Sequence, residues 1–217
     1  MLTALGSASH TLARDDVLAA LAAGCESLPV SGKRVLVIIP DGTRTAPIPL
    51  IFALLHQALG ARVAALDYLI ALGTHPPMAP EAIDRLVGVP AVERAVRYPK
   101  SRIFNHQWDQ PDALTTIGVI SRAEAAQLTD GLLSDDVPVT LNHLIVEYDH
   151  ILICGPVFPH EVAGFSFIQL PRALATLTNE MPTFACTTGV LVASNVTKTK
   201  PGVDLPASGR ICDALNG

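Results

Sequence analysis

The sequence predicts an α/β domain, a mostly parallel open sheet flanked by helices. Three observations carry that prediction. Short, β-branched apolar runs alternate with helix-like segments. The first run, Arg34-Val35-Leu36-Val37-Ile38-Ile39, is apolar on both faces, as strands covered by two layers are. The alternation recurs at about 30 residues, the length of a strand–helix–strand unit.

Each element has its own signal. Residues 11–26 read as an amphipathic helix, with Thr11 as a cap and Leu12, Val17, Leu18 and Leu21 on one face. The strand at 34–39 ends in the turn Pro40-Asp41-Gly42-Thr43-Arg44, and a helix over 49–59 follows, opened by Pro49 and closed by Gly60. Residues 63–72 form a second apolar segment that stops at Gly73-Thr74-His75-Pro76-Pro77. A helix over 80–87 ends at Gly88, and another covers 90–97. A short strand at Ile103-Phe104 runs into Asn105-His106-Gln107-Trp108-Asp109. Then come a strand at 115–120, a short helix at 123–128, and a strand or strand–helix join at 137–146. A buried strand at 149–154 runs out at Gly155-Pro156-Val157-Phe158-Pro159-His160.

Residues 1–166 therefore read as one α/β domain and 167–217 as a divergent or truncated tail. The tail carries Pro171, Pro182, Pro201 and Pro206, much Thr and Ser, and little periodicity. Residues 190–193 read as a strand, and poor order is expected beyond Asn195.

Composition narrows the function. Of the 217 residues 49% are hydrophobic and only 16% charged, and the mean hydropathy is +0.39. Such a chain is expected to bury further surface against another domain or subunit. No apolar stretch reaches the ~18 residues of a membrane span, and no basic-then-apolar leader opens the sequence. The net charge of −5, with no basic run, excludes nucleic acid as a partner. Cys25, Cys154, Cys186 and Cys212 are widely spaced and form no CxxC pair. That argues against a structural zinc or a disulfide framework and for a reducing cytoplasm.

The chemistry is positional. Four polar clusters follow directly on apolar strands, at 41–44, 73–75, 105–109 and 160–166. Open parallel sheets bind ligands at the carboxyl ends of their strands, where loops are fixed at their roots. The sequence thus converges Asp41, Arg44, His75, His106 and His160 on one edge. Asp41 also suits an Asx turn or a helix cap. Arg44, close after a strand end, suits bidentate binding of a carboxylate, against the alternative of a surface arginine. His75 and His160 at two strand ends suit proton exchange near neutral pH. His56 reads as structural or exposed, His143 as structural, and Trp108 as a packing residue, with lining of the pocket as the alternative. GxGxxG after the first strand, GxxxxGK[ST], GxSxG and HExxH are all absent.

At these residues the chain resembles the nickel-pincer lactate racemase family. Asp41-Gly42-Thr43-Arg44-Thr45-Ala46-Pro47 is similar to its Asp-x-Thr-Arg-x-x-Pro turn, and Gly73-Thr74-His75-Pro76-Pro77-Met78 to its Gly-Thr-His-x-x-Met segment. Asn105-His106 with Asp109, then Asn142, Asp149, the 155–160 run and Ala163-Gly164-Phe165-Ser166 continue the likeness over about residues 30–166.

The resemblance implies a 2-hydroxyacid racemase or epimerase acting by hydride transfer to a nickel-pincer pyridinium mononucleotide. His75 and His160 are then the acid/base pair, and Asp41 and Arg44 bind the substrate. Thr43, His106, Gly164 and Ser166 fall to the cofactor, and the metal ligands stay unassigned. The redox step belongs to the cofactor. The family's cofactor-attaching lysine is expected where this chain has Leu170, and no histidine follows His160. A partner chain or C-terminal domain is therefore expected to complete the site. The alternative is a truncated, non-catalytic module that keeps a carboxylate pocket.

Overall fold

A computed structural model describes residue 6 and residues 11–26, 28–73 and 75–156, with the side chains described as far as 155. It also describes the backbone of 159–160, 164–165 and 188–193. Ser166, Leu170 and the tail apart from 188–193 lie outside the described residues.

The chain opens with helix α1 (Arg14–Glu26), strand β1 (Arg34–Pro40), helix α2 (Ile48–Leu59) and strand β2 (Ala65–Ala71). Helices α3 (Pro80–Val87) and α4 (Ala91–Arg97) precede strand β3 (Ile103–Asn105). Then follow β4 (Leu114–Ile120), α5 (Arg122–Leu128), β5 (Val137–Asn142), the short α6 (Leu144–Glu147) and β6 (His150–Pro156). Three short backbone segments, β7 (Pro159–His160), β8 (Gly164–Phe165) and β9 (Thr188–Ala193), complete the described elements.

The main sheet has the order β3-β2-β1-β6-β9. Its first four strands run parallel, and β9 joins the edge of β6 antiparallel. The fold is therefore α/β with a parallel sheet flanked by helices. The strand at 190–193 is observed, within the longer β9.

The strands alternate as their sequences require. Val35, Val37, Ile39, Leu66, Tyr68, Ile70, Leu152 and Cys154 pack with α1, α2 and the end of α3 in one core. Leu36, Ile38, Leu69 and Ile151 face the other way, onto Leu141, Ile145 and Tyr148. This two-sided burial is why β1 has almost no polar position. At Gly88, which ends α3 with φ +72°, a Cβ would come within 2.7 Å of the Pro49 side chain. The left-handed cap and the close approach of α2 together require glycine there.

Three expectations need correcting. β4 and β5 do not join the parallel sheet; they pair antiparallel in a sheet of their own. Gly60 caps α2 in right-handed helical geometry, φ −56° and ψ −34°, so the helix leaves without the left-handed turn its glycine suggested. Helix α1 starts at Arg14 instead of at Thr11; Asp16 turns back to accept from the Ala13 amide at 3.3 Å.

The topology creates a crevice. From β1 the chain winds outward through β2 to β3, then returns to the opposite side of β1 as β6. The switch point therefore lies between the carboxyl ends of β1 and β6, the position where open α/β sheets bind ligands. A Cβ on Gly155 would lie 4.0 Å from Pro40 Cδ, so the two strand ends meet closely there.

Among the described residues no helix is long and apolar enough to cross a membrane. The described free cysteines, Cys25 and Cys154, are both buried. Burial pushes the Cys154 thiol up to about 12 and also raises that of Cys25.

Candidate functional site

Asp41 is the first residue after β1 and only 4% exposed. Its Oδ1 accepts from the Thr43 amide at 2.9 Å and the Thr43 hydroxyl at 2.6 Å, an Asx turn that bends the chain away from the sheet. Its Oδ2 lies 2.8 Å from His75 Nδ1. Asp41 therefore serves both as turn former and as partner of a histidine. The two residues stand at the ends of adjacent parallel strands, with Pro40 paired to Ala71.

The contact is asymmetric. The Asp41 side chain is 6% exposed and the His75 side chain 48%. A carboxylate accepts only, so His75 Nδ1 carries the proton. In the neutral ring Nε2 is then the free base. When Nε2 takes a proton, the buried carboxylate stabilises the imidazolium and holds its orientation.

Arg44 follows one turn later. Its Nε is buried and has no hydrogen-bond partner among the described residues. Burial lowers its pKa, and the nearby Asp41 charge partly restores it. A half-buried guanidinium with an unmatched donor favours an added anion, and the fork geometry of arginine favours a carboxylate. Arg44 stands beside Asp41, whose backbone carbonyl accepts from the Arg44 amide at 3.4 Å.

Two further strand ends support this edge. Asn105, last in β3, accepts from the Met78 amide at 3.1 Å and donates to the Met78 carbonyl at 3.0 Å. It ties the segment carrying His75 to the neighbouring strand. The Met78 methyl in turn reaches the turn after β1, 3.9 Å from where a Gly42 Cβ would lie.

His106 is 3% exposed and meets Asn142 through its Nδ1 at 3.0 Å. Asn142 Oδ1 accepts from the Leu144 amide at 3.1 Å, so its amide nitrogen is the group facing the ring. Asn142 thus donates to Nδ1, which leaves the His106 proton on Nε2. Burial lowers the His106 pKa, favouring the neutral ring.

Sequence reasoning quoted Asn105 and Asn142 but not these roles. Their position at the last residue of a strand was the available signal.

The remaining candidates separate. His160 lies in β7 and pairs with Gly164 in β8, just beyond the switch point, with only its backbone described. Ser166 lies outside the described residues. Thr43 is exposed and its hydroxyl serves Asp41. His143 begins α6 and lies 3.6 Å from Glu147. Trp108 corrects the packing expectation, being 49% exposed on the segment after β3.

A family model described as the lactate racemase N-terminal domain matches residues 17–167. A solved structure of a protein from Thermotoga maritima is 30% identical, with a TM-score of 0.60 over 71% of this chain. The lactate racemase apoprotein from Thermoanaerobacterium thermosaccharolyticum is 21% identical, with a TM-score of 0.52 over 76% of this chain. The chain spans 36% of the length of each. None of the curated proteins matches it.

Proposed function

This chain belongs to the lactate racemase N-terminal domain family, and from that premise we propose that it builds the substrate-facing half of a 2-hydroxyacid racemase or epimerase site. The observation that carries the reading is the 2.8 Å contact between buried Asp41 and half-exposed His75 at a strand end, with Arg44 beside it.

Arg44 takes the substrate carboxylate, filling its unmatched donor capacity. The Asp41–His75 pair exchanges the proton of the 2-hydroxyl through His75 Nε2. Inversion at C2 needs an acid/base group on each face of the substrate. His160 is the proposed second group, coming from the strand end across the switch point. Thr43, His106, Gly164 and Ser166 are the proposed cofactor-side residues, His106 as a neutral donor through Nε2–H.

The nickel-pincer nucleotide that the family resemblance implies finds no holder among the described residues. No three His, Cys, Asp or Glu side chains converge there. Leu170, at the position expected for the attaching lysine, has no nucleophile. The reading therefore rests on carboxylate binding and hydroxyl proton transfer by this chain's own residues. Leu170 specifically favours a second reading, a carboxylate-binding module without turnover.

The deciding experiment combines intact mass and nickel content of the purified chain with chiral analysis of L-lactate incubations. A cofactor-sized mass increase, stoichiometric nickel and D-lactate formation support the racemase. A bare polypeptide that still binds 2-hydroxyacids, and loses them on Arg44→Ala, supports the binding module. No binding of any 2-hydroxyacid sinks both.

A further inference from the structure

A second concavity lies at the opposite edge of the sheet. It has a volume of about 440 Å³ and opens where β2 and β3 begin, between α1, α2 and the end of α4. Strands of this length put it about 20 Å from the Asp41–His75 edge. Its size falls within the range of small-molecule sites.

Its chemistry is specific. Three cations from separate segments line it: Arg14 of α1, Arg97 at the end of α4, and Lys100 just before β3. Each spends only part of its donor capacity on the protein. Arg14 donates through Nη2 to Gln57 at 3.1 Å and lies 3.8 Å from Asp15 in a loose, exposed pair; Arg97 pairs through Nη1 with exposed Glu93; Lys100 donates to the Val63 carbonyl at 3.1 Å and has no acidic partner among the described residues. An arginine has five N–H donors and a lysine three, so most remain for a ligand. In a chain of net charge −5 this clustering runs against the average.

The wall is aromatic. Tyr98 lines it over a closed floor of buried Val63 and Leu66, and the His56 ring packs 4.2 Å from that of Tyr98. Burial holds the His56 imidazole neutral, down to about 4. The charge of the pocket therefore comes from its rim alone.

We propose that this pocket is a binding site for a small organic phosphate, with the phosphate on the Arg14–Arg97–Lys100 rim and an unsaturated body against the Tyr98 ring. A monocarboxylate would satisfy one arginine fork. Three cations from separate segments match the higher charge and three terminal oxygens of a phosphate monoester. The site is independent of the 2-hydroxyacid edge, and the proposal does not rest on the activity assigned there.

The test titrates the full chain, labelled for amide NMR, with phenyl phosphate, inorganic phosphate and benzoate. Phenyl phosphate is expected to shift the amides around His56, Tyr98 and Lys100 and to leave those around Asp41 and Arg44 in place. It is expected to bind roughly tenfold more tightly than either of the other probes, since each lacks half of the recognised chemistry. Combined Arg97→Gln and Lys100→Gln substitutions should weaken it by at least about tenfold, while Arg44→Ala leaves it unchanged.

Shifts confined to the Asp41 edge, no saturable binding, or equal affinity for all three anions would overturn the proposal. So would unchanged affinity in a folded double variant. The shift map on the unaltered chain decides the location even if that variant does not fold.

Discussion

Two aspartates are buried in this sheet, one towards each edge, and they are held in opposite ways. Asp67, near the start of β2, is 0% exposed and saturated. It accepts from the Arg102 amide at 2.7 Å, Arg102 Nη2 at 2.9 Å and the Tyr148 hydroxyl at 2.5 Å. Its partners are themselves fixed: Arg102 lies over the Phe104 ring, and Arg34 over that of Tyr148. Asp41, after β1, is nearly as buried, but its histidine partner presents half its surface to solvent, and Arg44 nearby keeps an unmatched nitrogen. Burial of a carboxylate does not tell the two apart. The kind of partner does: a buried tyrosine hydroxyl and a surface arginine, 62% exposed, that closes over Asp67, against a base and an anion clamp beside Asp41.

The largest effect should come from breaking the saturated side. Asp67→Ala strands the Tyr148 hydroxyl and the Arg102 amide, and is expected to cost about 3 kcal/mol in denaturant unfolding. Binding of 2-hydroxyacids, measured well below the midpoint, should stay within about twofold. A loss under about 1 kcal/mol would make the network a surface feature and dissolve the comparison.

His56, on the same side as Asp67, adds an acid-sensitive element. The unfolded chain protonates this ring near the ordinary imidazole value of 6.5 and the folded chain at about 4. Between those values the unfolded state holds the extra proton, so stability falls as pH falls. The shift corresponds to about 3 kcal/mol lost by pH 4, of which about 2 kcal/mol is gone at pH 5. His106, lowered in the same direction, adds to the slope. His56→Phe should flatten most of the loss between pH 6.5 and 5; an unchanged slope would place its origin elsewhere.

At the other edge the effect should move from stability to binding. Arg44→Ala is expected to weaken 2-hydroxyacid binding by about 1.5–3 kcal/mol, the worth of a charge-assisted pair. The unfolding free energy should change little, because the lost Nε had no partner to lose. Unchanged binding by calorimetry would remove Arg44 from the site. A stability loss matching that of Asp67→Ala would make both edges structural.

The two edges also differ in how legible they were. Asp41, Arg44 and His75 are readable because each follows directly on an apolar run, and parallel topology gathers such positions on one edge. The Asp67 network is not readable. Its partners stand 35 and 81 residues away, and an acidic residue inside a strand gives no sign of which arginine or tyrosine the fold will bring. The separate β4–β5 sheet escaped for a related reason. An apolar run announces a strand, but not whether its neighbour is parallel or antiparallel. Trp108 was misjudged because residue type favours packing, whereas the segment after β3 holds it 49% exposed.

The smallest expected effect falls on the residue that joins the edges of two strands. Asn105→Ala removes both hydrogen bonds to Met78 and leaves that peptide without its side-chain partner. The stability cost should be about 1–2 kcal/mol, two neutral bonds in a half-buried place. The more telling readout is His75. Asn105 acts on it only through the 75–78 segment, so its loss should broaden the His75 ring signals and loosen their coupling to Asp41. Titration of His106, held separately by Asn142, should not move. Asn105→Gln keeps the amide but displaces it by a methylene and should not restore the clamp. If Asn105→Ala destabilises the chain yet the His75 ring signals stay as sharp as before, the Asp41–His75 pair is held by its own turn alone. The edge would then owe its geometry to β1 and β2, with β3 contributing only packing.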